Sequence, residues 1–217
     1  MPDATDGASR QPLCQLTDWL VREGRFLADN SALFTELCER LRASGIPLDR
    51  ASLHLRALHP QYRGVSRIWT PGRPLDERYL DYGIERSAIY IESPVRVVAE
   101  QNKRMEWRLE GERLLPFPLL DELRDEGYVH YVITPLAFAG MVNALSWATM
   151  RPGGFSAAEL RSLDDLLPSF GAAVELKAMR RFLAQILTTY VGEEPGRLIL
   201  DGQVRRGDVR TITAALT

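Results

Sequence analysis

Residues 129–156 read VHYVITPLAFAGMVNALSWATMRPGGFS, and the fold class turns on them. Val129 to Leu136 is rich in β-branched and aromatic residues, the composition of a strand. Val142 to Met150 reads as its partner, and Ala139-Gly140 between them suits a hairpin turn. Arg151-Pro152-Gly153-Gly154 closes the sheet. Ser156 then caps a long helix, with Glu159 three residues on completing a capping box.

Upstream, Leu13, Leu16, Leu20, Phe26 and Leu27 give residues 12–28 a helical pattern. Asp29-Asn30-Ser31 breaks it, and Ser31 is expected to cap a second helix over 32–43, ended by Gly45 and Pro47. Ala51 to Leu58 alternates Leu53, Leu55 and Ala57 against His54, Arg56 and Leu58, and Val65 to Thr70 reads as the next strand after a short loop. The middle is mixed. A helical piece is expected around Glu77 to Tyr82 and another after Pro94, then a strand over Lys103 to Leu109 with Trp107, then a helix over Leu119 to Glu126 ended by Gly127. This order is that of an α+β domain: an antiparallel sheet with N-terminal helices and a long C-terminal helix. No GxGxxG follows a strand, so nothing points to a dinucleotide fold.

The long helix, 157–190, carries two apolar series. Leu160, Leu163, Leu167, Phe170 and Val174 are spaced 3, 4, 3, 4, and so are Leu176, Met179, Leu183, Ile186 and Tyr190. The step from Val174 to Leu176 is two residues, so the stripe moves roughly 200° around the axis. The first series is expected to pack on the sheet. The second is expected to face a partner, most simply the same helix of a second chain; the alternative is that both series bury within one domain. Pro168 is expected to kink or interrupt the first half.

Composition narrows the classes. Hydrophobic residues make up 45% and charged residues 26%, as in a soluble globular protein. Net charge is −2 with both signs interspersed, which argues against a nucleic-acid partner. No segment reaches the ~18–20 apolar residues of a membrane span. Residues 1–11 are polar, lack the apolar core of a signal peptide, and are expected to be a disordered leader. Cys14 and Cys38 lack CxxC spacing and read as small apolar groups, and His54, His59 and His130 lack the spacing of a helical metal site. No metal or other cofactor is expected in this chain, and the setting is expected to be cytoplasmic.

Two resemblances add to this. Tyr190-Val191-Gly192, Gly196-Arg197-Leu198-Ile199-Leu200, Gly202-Gln203 and Arg206-Gly207-Asp208, followed by the alternating Thr211 to Thr217, resemble the entry into the catalytic domain of bacterial class III adenylate cyclases. The body resembles a GAF-type sensor domain, and Leu123-Arg124, Gly127-Tyr128 and Gly153-Gly154-Phe155-Ser156 look like N-terminal regions of that cyclase group. The resemblance implies a GAF-like sensor over 12–175, a dimerisation and signalling helix over 176–191, and a linker with the first catalytic strand over 192–217. Gly192, Gly196, Gly202 and Pro195 are expected to let that linker bend. Such cyclases convert ATP to cyclic AMP at sites formed between two chains. No residue here matches a metal-binding aspartate, so no catalytic residue is assigned, and Mg and ATP would belong to the domain beyond Thr217. The chain is expected to regulate a homodimer rather than to react. The runner-up is a GAF-type ligand-binding module of a transcription regulator or a two-component protein.

In a GAF-type sheet one face carries the terminal helices and the other lines a ligand pocket. On that resemblance His54, Arg56, Arg67, Trp69 and Tyr131 are candidates to face an anionic or planar ligand, with Trp107, Tyr128 and Trp147 as further aromatics. The plainer alternative is a solvated strand face, and aromatics that are simply core.

Overall fold

In a computed structural model, residues 15–56, 62–111, 114–138 and 140–202 are described. The expected leader, Leu13, Cys14, Ala57, Leu58, His59 and the expected strand at Thr211 to Thr217 lie outside them. The chain divides into two compact units, Met1–Ala178 and Met179–Thr217.

The first unit is built on a six-stranded antiparallel sheet of order β3-β2-β1-β6-β5-β4. The strands are β1 (Arg50–Arg56), β2 (Gly64–Trp69), β3 (Asp76–Leu80), β4 (Met105–Arg108), β5 (His130–Phe138) and β6 (Met141–Thr149). The hairpin of β5 and β6 pairs Phe138 with Met141 and Val132 with Trp147. Gly140 holds φ +70° in its turn, a conformation that favours glycine. The helix expected around Glu77 to Tyr82 is instead β3. Its residues, Asp-Glu-Arg-Tyr-Leu, are acceptable in a helix, but the free edge of β2 pairs with them from Ile68–Asp76 to Gly64–Leu80, and tertiary pairing decides.

One sheet face is covered by terminal helices: α1 (residues 15–22), α2 (Asn30–Ala43) and the first half of α6, defined below. Leu53, Trp69, Leu145 and Trp147 meet Leu20, Leu33, Phe34 and Leu37 there, all nearly or fully buried. Each such aliphatic side chain contributes on the order of 2 kcal/mol on leaving water. Asp29, not Ser31, caps α2, accepting from the Ala32 N–H at 2.8 Å. Ser31 is drawn away to Glu77 of β3. Residues 12–28 do not form one helix: α1 gives way to a tight turn at Gly24–Phe26, and Phe26 is exposed. Cys38 is fully buried, and burial pushes its thiol pKa well up.

The other face is covered by the crossover helices α3 (Ala88–Ile91), α4 (Pro94–Gln101) and α5 (Pro118–Asp125). Val98, Leu120, Leu123, Tyr131 and Ile133 form a second apolar cluster.

Helix α6 runs from Ala157 to Val191 as one element. Its capping box is closed in both directions: Glu159 N–H donates to Ser156 Oγ at 3.2 Å, and Ser156 N–H to Glu159 Oε2 at 2.7 Å. Pro168 does not interrupt it, because a proline removes one backbone donor while the turns on either side keep theirs. Leu163, Phe170 and Val174 are buried as expected, joined by Leu166 and Ala173, and Leu160 and Leu167 pack at the margin.

In the second unit the continuation of α6 is followed by α7 (Glu193–Leu200). Gly192 stands between them at φ +100°, so the chain does turn there. Gly196, in contrast, is no loose joint. It lies inside α7, and a Cβ at that position would stand 3.0 Å from the Leu187 carbonyl carbon.

Candidate ligand-binding site

The crossover face of the sheet and the helices over it surround a cavity of about 910 Å³. That is room for a drug-sized molecule. Strand alternation decides which side chains reach it. In β1 the even residues Arg50, Ser52, His54 and Arg56 line it. Antiparallel register places Ser66 opposite His54 and Ser146 opposite Ser52. Tyr131 comes from β5, and α3, α4 and α5 supply walls that include Tyr90, Val95 and Leu119.

The floor holds a chain of hydroxyl and imidazole groups. His54 Nε2 is 2.9 Å from Ser52 Oγ and His54 Nδ1 is 2.9 Å from Ser66 Oγ. Ser52 Oγ in turn meets Ser146 Oγ at 2.5 Å. A neutral imidazole carries one N–H, so one serine donates to the ring and the other accepts from it. Burial, helped by the positive charge of Arg50, pushes the His54 pKa from 6.5 down to about 4, so the ring is neutral at pH 7.

Tyr131 differs from these satisfied groups. The residue is 1% exposed, and its hydroxyl makes no hydrogen bond of normal geometry among the described residues. Ser146 lies near enough to moderate the shift, but burial pushes the phenol up to about 12, so at neutral pH it remains an O–H donor. The arginines also divide. Arg63 pairs with Glu85, Arg78 with Asp76 and Arg96 with Glu100, whereas Arg50 and Arg56 have no carboxylate partner among the described residues. The Nε of Arg96 is buried without an acceptor.

Of the five residues expected in the pocket, His54, Arg56 and Tyr131 line it and two do not. Arg67 and Trp69 are on the opposite face, because Arg67 stands across from Leu53 and Trp69 from Ala51. Arg67 is 3% exposed and pairs with Glu77 at 2.8 Å, and Trp69 Nε1 donates to Glu39 at 3.1 Å. Trp147 is likewise on the helix-covered face, and Trp107 and Tyr128 pack in the crossover cluster rather than along the cavity. Arg50, Ser52, Ser66 and Ser146 escaped sequence reasoning. Their one signal was parity: Arg50 and Ser52 alternate with His54 along β1.

A serine against an imidazole resembles the start of a nucleophilic site. Here the ring meets a serine on each nitrogen and, among the described residues, no orienting carboxylate, and a base with a pKa of about 4 abstracts protons weakly at pH 7.

The second apolar series of α6 is open to solvent: Leu176 and Met179 are 46% exposed, Leu183 50% and Tyr190 82%, with Ile186 half-buried.

No family model and no curated protein matches the sequence. Solved structures do match in fold. The GAF domain of a phosphoenolpyruvate-protein phosphotransferase from Coxiella burnetii superimposes with a TM-score of 0.52 at 15% identity, over 78% of this chain and 95% of that one. A GAF sensor protein from Burkholderia vietnamiensis gives 0.51 at 10%, over 79% and 98%. The free methionine-R-sulfoxide reductase from Neisseria meningitidis, solved with its substrate, gives 0.52 at 10%, over 82% and 95%. The six-stranded antiparallel sheet with flanking helices is therefore a GAF-like fold. No helix among the described residues is long and apolar enough to cross a membrane.

Proposed function

We propose that this chain is a sensory and dimerising module, working in the cytoplasm, that controls a class III adenylate cyclase and performs no reaction itself. The observation that carries the reading is the change of face along α6. Leu163, Phe170 and Val174 are spent on the core, while Leu176, Met179, Leu183 and Tyr190 are left outside. An exposed apolar series in heptad-like spacing seeks a like surface, and a second copy of the same helix supplies one. A paired helix entering a catalytic domain gates it, because a site shared by two chains needs them aligned closely. A ligand in the cavity biases that alignment by binding one arrangement better than the other. The cyclase assignment rests on the resemblance of residues 190–217, and a transcription regulator or two-component protein is the competing host.

Light scattering at micromolar concentration tests the dimer. The expected mass is twice 24.5 kDa. Leu183→Asp places a charge in the seam and shifts the population to monomer with the far-UV spectrum unchanged. A native chain that is monomeric, or a variant that stays dimeric, refutes the helix seam. Gene sequence following the Thr217 codon tests the host: an aspartate-bearing strand with Gly-Phe-Thr-like residues supports a cyclase, and a helix-turn-helix refutes it.

A further inference from the structure

We infer that the end of the cavity between Arg50 and Tyr131 takes the carboxylate of a small, singly charged organic acid with an apolar body. This rests on the reading of the cavity as a ligand site and names what that site selects. Two independent features converge on it. Tyr131 is buried to 1% exposure, lines the cavity, and carries a hydroxyl that makes no hydrogen bond of normal geometry among the described residues. A buried unpaired donor is costly, and a bound acceptor relieves the cost. Arg50, half-buried two residues before Ser52, also lines the cavity and has no carboxylate partner among the described residues. Register pairs Arg50 with Ala148 and Ala148 with Tyr131, so the two residues stand in one row across β1, β6 and β5.

The neighbouring groups refine the ligand. His54 is neutral and occupied by Ser52 and Ser66, so it adds no second positive charge. One guanidinium and one phenol form a pair of donors that a flat carboxylate accepts well. Glu122 and Glu126 also line the cavity without a cation partner among the described residues, and they disfavour dianions such as phosphate monoesters. Ile68, Val95, Leu119 and Ala144 supply apolar walls for the remainder of the molecule. The Arg96 end of the cavity is less suited to an acid, because Glu85, Glu92 and Glu100 line it too, although Arg96 Nε has no acceptor there among the described residues.

The test uses the 217-residue chain with benzoate, its neutral isostere benzamide, and phenyl phosphate as probes, by calorimetry and thermal shift. Benzoate is expected to bind, and benzamide and phenyl phosphate to bind at least about tenfold more weakly, the worth of one hydrogen bond to a charged group. Tyr131→Phe and Arg50→Gln are expected to lose benzoate by a similar factor. Tyr131→Phe should melt no lower than the native chain, since it removes an unsatisfied group and keeps the ring. Equal binding of benzamide, tighter binding of phenyl phosphate, or undiminished binding of benzoate by both variants overturns the carboxylate site while the ligand cavity stands. Native mass spectrometry separates the deeper failure. A co-purified neutral compound retains the cavity and refutes the acid, and an empty cavity that takes no probe at millimolar concentration refutes both.

Discussion

Lowering the pH should destabilise this protein through His54, and the size of the effect follows from its surroundings. In the native state the imidazole sits between two serine hydroxyls and its pKa is brought from 6.5 to about 4, by burial first and by Arg50 second. The unfolded chain therefore binds the proton more readily. Stability linked to this group is fully present above about pH 6.5 and is lost as the pH falls toward the native pKa. The loss begins below about pH 6.5 and reaches on the order of 3 kcal/mol at about pH 4. That is a large part of the ~5–15 kcal/mol that holds a domain together. Urea titrations followed by tryptophan fluorescence, from neutral pH to about pH 4, measure it in the native chain and in His54→Gln. Carboxylates held low, such as Glu77 and Glu159, lose their contribution at lower pH in both proteins and cancel in the difference. His130, which burial also lowers, cancels in the same way. The difference curve should rise by about 3 kcal/mol across this window. Parallel curves for the two proteins would refute the reasoning, since a solvated His54 has no linkage to lose.

Other perturbations have defined outcomes. Gly154 holds φ +67°, and a Cβ there would stand 2.6 Å from His130 Nδ1 and closer still to Arg108, so Gly154→Ala should cost at least about 2 kcal/mol by urea denaturation. Ser156→Ala removes one arm of the α6 capping box and should cost about 1 kcal/mol in the same assay. Lys177 is 8% exposed and donates from Nζ to the carbonyls of Arg25 and Leu27, the former at 3.0 Å. Lys177→Met leaves both acceptors without it and should speed proteolysis between Gly24 and Asp29 while the sheet stays protected; unchanged cleavage there counts against the tie.

The elements that sequence made legible are those whose signals are local. The hairpin around Gly140, the capping box of Ser156 and Glu159, and the buried half of α6 each depend on residues within a few positions of one another. The elements that were misread depend on partners far along the chain. Asp76–Leu80 is a strand because β2 lies beside it, which nothing inside those five residues announces. Arg67 and Trp69 look as able to face a pocket as His54 does until the register of β1 against β2 is known, and a shift of one residue exchanges the faces. Ser31 and Asp29 are both good caps, and the choice fell to Glu77, which takes the serine away. Tyr131 was foreseen as an aromatic. That its hydroxyl would be left without an acceptor depends on packing from three strands, and no sequence pattern carries it.

The central strands β1 and β6 are read from both sides at once. In β1, Ser52 and His54 touch the cavity and are bonded in sequence to Ala51 and Leu53, which bear on the helices behind, and in β6 Ala144 and Leu145 divide in the same way. The sheet is thus a partition one residue thick, like the skin of a drum, with the cavity on one side and the root of α6 on the other. On the proposed function, a ligand that filled this cavity would bear directly on the strands that carry α6, with no separate lever between them.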